Sequence, residues 1–308
     1  MASSTLPASR SDRERFDPPL IRHRWVTEEA LARTAFLADA RARCELDADA
    51  FERLLWHGGL HLDGRPHAGD ELPHRIEAGI RVDAYAFAAE PEPVPFGAEG
   101  ILAEGADWLA ADKPAWLPTQ GTRASRRLSL EAVLRARSGY EALVAVHRLD
   151  RETSGVVLFA KTAEAAARLG RAFAAGCARK RYVAVVSPPP ELDRFEVSGF
   201  LGRALDPRRY RFALRAAEEP GFRWSHTRFQ RLARRGACAW VAADPSTGRT
   251  HQIRVHLAAS GAPIAGDRVY GGAPAPRLLL HAARLEIKGE PIAVEAPTPR
   301  DLAADGSQ

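Results

Sequence analysis

Apolar residues near the start of the chain recur at helical spacing in two stretches, TEEALARTAFLADARARC (27–44) and LDADAFERLLWH (46–57). Asp47 or Asp49 stands where it would cap the second. GGLHLDGRP (58–66) reads as a short strand and turn, and IEAGIRVDAYAF (76–87) alternates Ile80 and Val82 like another strand. EPEPVPFG (90–97), Pro-rich and acidic, predicts a linker.

Beyond the linker the period shortens. DWLAADKP (107–114), LVAVHRLD (143–150), GVVLFAKT (155–162) and KRYVAVV (180–186) predict strands. Between the last two, AEAAARLGRAFAAG (163–176) predicts an Ala-rich helix with Leu169 and Phe173 on one side and Gly176 as its stop. RRYRFALRA (208–216), SHTRFQRLAR (225–234) and ACAWVAADP (237–245) alternate. RTHQIRVHLAASG (249–261) predicts a short helix or strand-to-helix junction, and RLLLHAARLEI (277–287) and PIAVEAPTP (291–299) close the pattern. Many strands with sparse helices predict an α+β fold, with a mixed, mostly antiparallel central sheet and flanking helices. The division is a disordered tail over 1–20, a small α/β module over 21–89, the linker over 90–97, a main domain over 98–300 and a tail over 301–308.

Composition narrows the function classes. Hydrophobic residues make up 45% of 308, enough for a real core. No apolar run approaches the roughly 20 residues of a membrane span. The N-terminus lacks an apolar signal core, so no export is expected. Cys44, Cys177 and Cys238 are few, distant and odd in number, which fits a reducing cytoplasm and offers no zinc-ligand spacing. A net charge of +5 and a pI near 9.4 permit an anionic partner such as RNA. That vote is weak, because four lysines against 40 arginines is what a GC-rich coding sequence produces unaided.

Four stretches carry candidate chemistry: DKPAWLPTQGT (112–122), HRLDRETSGVVLFAKT (147–162), KRYVAVV (180–186) and GRTHQIRVHLAASGAPIAGDRVYGG (248–272). Taken singly, each has an ordinary explanation. Asp150 before Thr-Ser-Gly makes a good turn, Tyr182 suits a strand core, and Arg254 suits a surface. His251 and His256 miss the i, i+4 spacing of a zinc helix. No serine or cysteine sits in a nucleophile elbow, and GxxxxGK[ST] is absent.

Together, and in this order, the four stretches resemble the motifs of the RluA-type pseudouridine synthases, with RLLLHAARLEI similar to that family's closing strand. The resemblance covers roughly residues 98 to 300. It implies a pseudouridine synthase fold with a catalytic cleft and isomerisation of uridine within RNA: the glycosidic carbon–nitrogen bond breaks, the uracil rotates and rejoins the sugar through carbon 5. Nothing is added or lost, so no metal or other cofactor is expected.

By the same resemblance Asp150 is the catalytic carboxylate, Arg254 the guanidinium facing it, and Tyr182 the aromatic that stacks on the target base. Arg148 matches a residue that fills the space left by a flipped uridine. Arg151, Lys180 and Arg181, with the neighbouring Arg179 and the cluster Arg123, Arg126 and Arg127, are assigned to general phosphate contact, and His251 to RNA contact. The family leaves two routes open, attack on the sugar carbon or a glycal. Ribosomal RNA is the preferred substrate and transfer RNA the second, for a cytoplasmic monomer.

Residues 21–89 are similar to the small RNA-binding module that many such enzymes carry, with Asp63-Gly64 at its turn. Asp47, Asp49 and Glu52 replace residues that favour phosphate, which predicts reduced RNA affinity and leaves contact open. Two other readings compete. An RNA chaperone on the same fold would dispense with Asp150, Tyr182 or Arg254, yet all three are present. A glycosidase would need a second carboxylate; Asp112 and Asp267 are near enough in sequence motifs, but the resemblance gives them structural positions.

Overall fold

The computed structural model describes residues 12–205 and 210–303. Two compact units divide the chain: residues 1–94 with 116–139, and residues 95–115 with 140–308.

The first unit begins with helix α1 (Asp12–Phe16), so of the expected N-terminal tail residues 12–16 are helical while 1–11 lie outside the described residues. Next come strands β1 (Leu20–Val26) and β2 (Leu31–Ala32), helices α2 (Arg33–Cys44) and α3 (Ala48–His57), and strands β3 (Leu60–Leu62), β4 (Arg65–His67), β5 (Arg75–Ile76) and β6 (Arg81–Phe87). Helix α4 (Leu130–Ser138) belongs to the same unit. A four-stranded sheet runs β1-β6-β3-β4. Its core gathers Phe36, Ala40, Phe51 and Leu54 of the helices against Leu60, Val82 and Ala84.

Asp47 caps α3, its carboxylate accepting from the Ala50 N–H at 2.7 Å. Asp63 and Gly64 both take positive φ, 46° and 82°, the pair that a two-residue hairpin turn between β3 and β4 requires. The first predicted helix starts late, at Arg33 rather than Thr27. The Thr27 hydroxyl donates to the Glu77 carbonyl and accepts the Ile80 N–H, which ties this segment to a loop instead of a helix. Strand β1 is a further departure from the sequence pattern. It pairs along its length with β6, and Arg22 and Arg24 reach the buried Asp83 at 2.8 and 2.6 Å.

The second unit holds an 11-stranded sheet. Its elements are β7 (Ile101–Glu104), β8 (Trp108–Lys113), β9 (Val144–Ala145), β10 (Ser154–Ala160), α5 (Ala163–Ala174), β11 (Ala178–Val186), β12 (Arg194–Arg203), β13 (Phe212–Arg215), β14 (Arg223–Arg235), β15 (Cys238–Pro245), α6 (Gln252–Ala259), β16 (Leu280–Ile287) and β17 (Ile292–Glu295). The main path is β13-β12-β14-β15-β11-β16-β10-β8-β7, antiparallel except where β10 meets β16. The expected mixed, mostly antiparallel α+β sheet is what the chain forms.

Two details fix the end of this sheet nearest the chemistry. The strand expected over 143–150 stops at Ala145, because the His147 imidazole takes the place of a neighbouring strand and accepts the Leu158 N–H at 3.1 Å. Gly155, with φ +111°, lets β10 lie against β16, where a Cβ would fall 2.3 Å from the Ala282 carbonyl oxygen. Of the tail expected over 301–308, Leu302 is buried and its carbonyl accepts the Trp240 indole N–H, while 304–308 lie outside the described residues.

Candidate active site

A cleft of about 300 Å³ opens in the second unit, lined by the 147–153 loop, α5, β11, the end of β15, the 247–251 loop and the start of α6. Asp150 heads a turn closed by the Thr153 N–H donating to its carbonyl at 3.1 Å. Its side chain keeps a quarter of its surface exposed, facing into the cleft. Lys113, fully buried at the end of β8, anchors this loop from beneath. Its ammonium donates to the carbonyls of Pro114 and Arg151 at 2.9 and 3.0 Å. Burial drives the Lys113 pKa down to about 7, while the negative charge of Asp150 pulls it back up.

Arg254 projects from α6 and is 3% exposed. One of its terminal nitrogens stands 3.8 Å from an Asp150 carboxylate oxygen. The closer partner is Asp267, gripped by Nε and Nη2 at 2.7 and 2.9 Å in a two-pronged pair. Asp267 Oδ1 also accepts the backbone N–H groups of Val269 and Tyr270. The expectation that Arg254 faces Asp150 therefore needs refinement: the guanidinium is locked to a buried carboxylate and presents its remaining edge to Asp150.

His251 approaches the same Asp150 oxygen at 3.9 Å through Nε2. Its Nδ1 lies 2.9 Å from the Tyr270 hydroxyl, whose oxygen accepts the Phe212 N–H. That chain of bonds lets Tyr270 donate to Nδ1 and leaves the Nε2 proton facing the carboxylate. Burial lowers the His251 pKa, with Asp150 opposing. His251 takes a left-handed φ of 59° at the head of α6, a strained conformation for a non-glycine residue.

Tyr182 lines the cleft from β11. It lies opposite Ala282 of β16, just past a bulge at Ala283 in that strand, and β11 itself keeps its alternation. Burial raises the phenol pKa, and the charge of Asp150 raises it further. Opposite, His147 stacks on Phe173 with ring centroids 4.9 Å apart, and burial holds its pKa down to about 3. It is a neutral wall of the cleft.

The other sequence-predicted residues divide. Arg148 is exposed in the cleft wall, and Lys180 lines it. Arg181 does not join them; it lies in an adjoining groove, paired with Asp244 by two bonds of 2.9 Å. Arg151 contributes its carbonyl to Lys113 and is not among the lining residues. In the first unit Arg126 holds Glu71, and Arg127 donates to the Trp56 carbonyl. Asp49 and Glu52 line an open hollow there with Arg53 and Trp56.

Several residues of the cleft escaped the sequence reading. Gln252 accepts from the Thr247 hydroxyl and the Arg249 N–H and donates to the His226 carbonyl and Thr227 hydroxyl, which fixes the 247–249 loop. Lys113 and Tyr270 stand inside quoted motifs without a named role, while Asp267 was expected to hold a structural position. Among the described residues no cluster of histidine, cysteine and carboxylate side chains could hold a metal ion. His256 instead has both ring nitrogens at 3.0 Å from hydroxyls, those of Thr227 and Ser225.

Comparison with known proteins gives concordant matches. The family model described as RNA pseudouridylate synthase matches residues 107–259. A Zymomonas mobilis protein described as an uncharacterized RNA pseudouridine synthase is 37% identical over 217 residues, 67% of this chain and 97% of its own. Ribosomal large subunit pseudouridine synthase D of Xanthomonas campestris is 34% identical over 272 residues, covering 80% of this chain and 79% of that protein. The structure of human RNA pseudouridylate synthase domain containing 1 superposes with a TM-score of 0.56 at 27% identity, over 67% of this chain and 86% of that one.

Proposed function

The chain belongs to the RluA-type RNA pseudouridine synthases and is an isomerase of uridine in RNA, and from that premise we propose that Asp150 is its catalytic carboxylate and that ribosomal RNA is its substrate. The observation that carries the assignment is the meeting of Asp150, Arg254 and Tyr182 in one cleft, with Arg254 fixed by Asp267. Ribosomal RNA is preferred because the Xanthomonas relative is named for the large ribosomal subunit. The protein acts in the cytoplasm as a monomer, without metal or organic cofactor.

In this reading the target nucleotide leaves its stack, at a cost of a few kcal/mol, and enters the cleft. Arg148, exposed in the cleft wall, fills the space it vacates; a planar cation suits stacking between bases. Tyr182 stacks on the uracil. Asp150, ionised, acts on the sugar as the bond from C1′ to N1 breaks, either by attack on C1′ or by proton abstraction that forms a glycal. Arg254 and the Nε2 proton of His251 stabilise the carboxylate when it is free. The bond from C1′ to C5 then forms, the C5 proton leaves and N1 gains one. Atoms and charge balance with no outside reactant. Lys180 meets backbone phosphate on the approach.

A transcriptome-wide pseudouridine map tests the assignment, by carbodiimide modification and reverse transcription. It compares the intact gene, its deletion, and the deletion complemented with Asp150→Asn. One or a few ribosomal RNA stops are expected to vanish in both defective strains. Loss of a transfer RNA stop instead would move the substrate. An unchanged map would leave RNA binding without isomerisation as the better account.

A further inference from the structure

Lys180, assigned only a general phosphate contact, stands with Arg249 in the cleft wall as a like-charged pair, and the reaction as described names no particular phosphate for it. Lys180 sits in the cleft wall two residues before Tyr182 on β11, so the two side chains share a face of the strand. Its ammonium donates to the Thr247 carbonyl at 3.1 Å and meets no carboxylate among the described residues. Burial lowers its pKa, and the neighbouring Arg249 guanidinium lowers it further. Among the described residues Arg249 likewise meets a carbonyl, that of Trp224 at 3.1 Å, while its backbone is held by Gln252. The Lys180 ammonium lies against the same loop, since a Cβ at Gly248, next to Arg249, would meet it at 3.4 Å.

Two cations brought together, one on β11 and largely covered, the other on the 247–249 loop, and neither paired with a carboxylate among the described residues, repel each other and lose hydration. An anion between them removes both penalties. Two other arginines near the cleft already have a counter-ion: Arg254 has Asp267 and Arg181 has Asp244. We propose that Lys180 and Arg249 clamp a backbone phosphate flanking the target uridine, so that the nucleotide is held by its phosphate while Tyr182 holds its base. Two residues of strand span about 6.6 Å, a step comparable to that from a base to its own phosphate. Lys180 also borders the adjoining groove beside Arg179, where Arg228 and Arg284 are already paired with Glu196 and Glu295.

This inference rests on the isomerase assignment, and its test separates the two. A short RNA carrying the mapped uridine is synthesised in three forms. One has neutral methylphosphonates at both phosphates flanking that uridine, one has a single neutral linkage five or more nucleotides away, and one is unmodified. Equilibrium binding is measured to Asp150→Asn protein with Lys180 kept, with Lys180→Met and with Lys180→Arg. Neutralising the flanking phosphates is expected to weaken binding on the order of tenfold when Lys180 is kept. With Lys180→Met the same change costs less than about twofold, because the interaction is already gone. Lys180→Arg keeps most of the discrimination, and the distant linkage costs the same in all three proteins. Arg249→Met, on an exposed loop position, gives the same loss of discrimination as a second, independent variant. Equal penalties in every protein for the flanking phosphates would overturn the clamp while leaving the isomerase assignment intact. A map with no lost uridine would overturn both.

Discussion

Arg254 binds Asp267 through two hydrogen bonds of 2.7 and 2.9 Å while standing 3.8 Å from Asp150. The tighter pair is buried on both sides, so the guanidinium is aimed by one carboxylate at another. Asp267→Asn removes the charge but keeps the shape. It leaves Arg254 buried and uncompensated, a loss of about 3–5 kcal/mol for a broken buried pair. The expected result is a lower melting temperature and a fall in kcat larger than any rise in KM, measured by thermal unfolding and single-turnover assays on the mapped RNA. Unchanged kcat would show that Arg254 needs no such anchor.

Arg148 carries a prediction about RNA structure rather than chemistry. It is exposed in the cleft wall and pairs with no carboxylate among the described residues. Arg148→Ala is expected to slow isomerisation of a stacked uridine about tenfold, while a single-stranded oligonucleotide of the same sequence loses much less, since little unstacking is then needed. Equal losses on both substrates would contradict the flipping role.

His256 links function to acid sensitivity through the helix that carries Arg254. Burial lowers its pKa to about 4 from an ordinary value near 6.5. The unfolded chain therefore takes up a proton that the folded chain refuses. Stability from this group is full above about pH 6.5 and is lost as pH falls toward 4, by about 3 kcal/mol at most. His147 and His281, lowered to about 3 and 4, act in the same direction. Asp112, raised to about 6 by burial, opposes them below that pH. Urea unfolding from pH 7 to pH 4 is expected to show falling stability, with a shallower slope for His256→Gln.

Gly155→Ala tests the backbone geometry beneath the site. The added methyl group would meet the Ala282 carbonyl oxygen at 2.3 Å and sit at a φ of +111°. Destabilisation on the order of 3 kcal/mol or more is expected, with activity reduced because β10 continues directly from the Asp150 turn. A melting temperature within a degree of wild type would mean that β16 yields without cost.

Much of the working surface was legible without coordinates. The order HRLD, KRYVAVV, GRTHQIR placed Asp150, Tyr182 and Arg254 in the motifs that line the cleft. Short apolar runs located β8, β10, β11 and β16, and alternation located β15; β10 is buried on both faces, so its run is continuous. Capping chemistry located α3, with Asp47 at its start, and Asp63-Gly64 marked the hairpin. Helix α4 had equally good local signals, Ser129 accepting the Ala132 N–H and Gly139 in the left-handed region, and was overlooked among the arginines around it. Strand β1 had no such signal: its sequence LIRHRWV is largely exposed and gains its place from pairing with β6.

What the chain's order of residues determined by itself is local: periodicity, caps, turns, and a set of motifs whose chemistry is that of uridine isomerisation. What only the tertiary structure decided is which charges meet. Arginine is so frequent here, 40 of 308 residues, that sequence cannot say which has a carboxylate partner and which is left for RNA. Packing pairs Arg181 with Asp244 across 63 positions and Arg254 with Asp267 across 13, buries Lys113 beneath the Arg151 carbonyl, and leaves Lys180 beside Arg249 without a carboxylate among the described residues. Burial and distance set the strength of a charge interaction, and neither exists until the strands have paired.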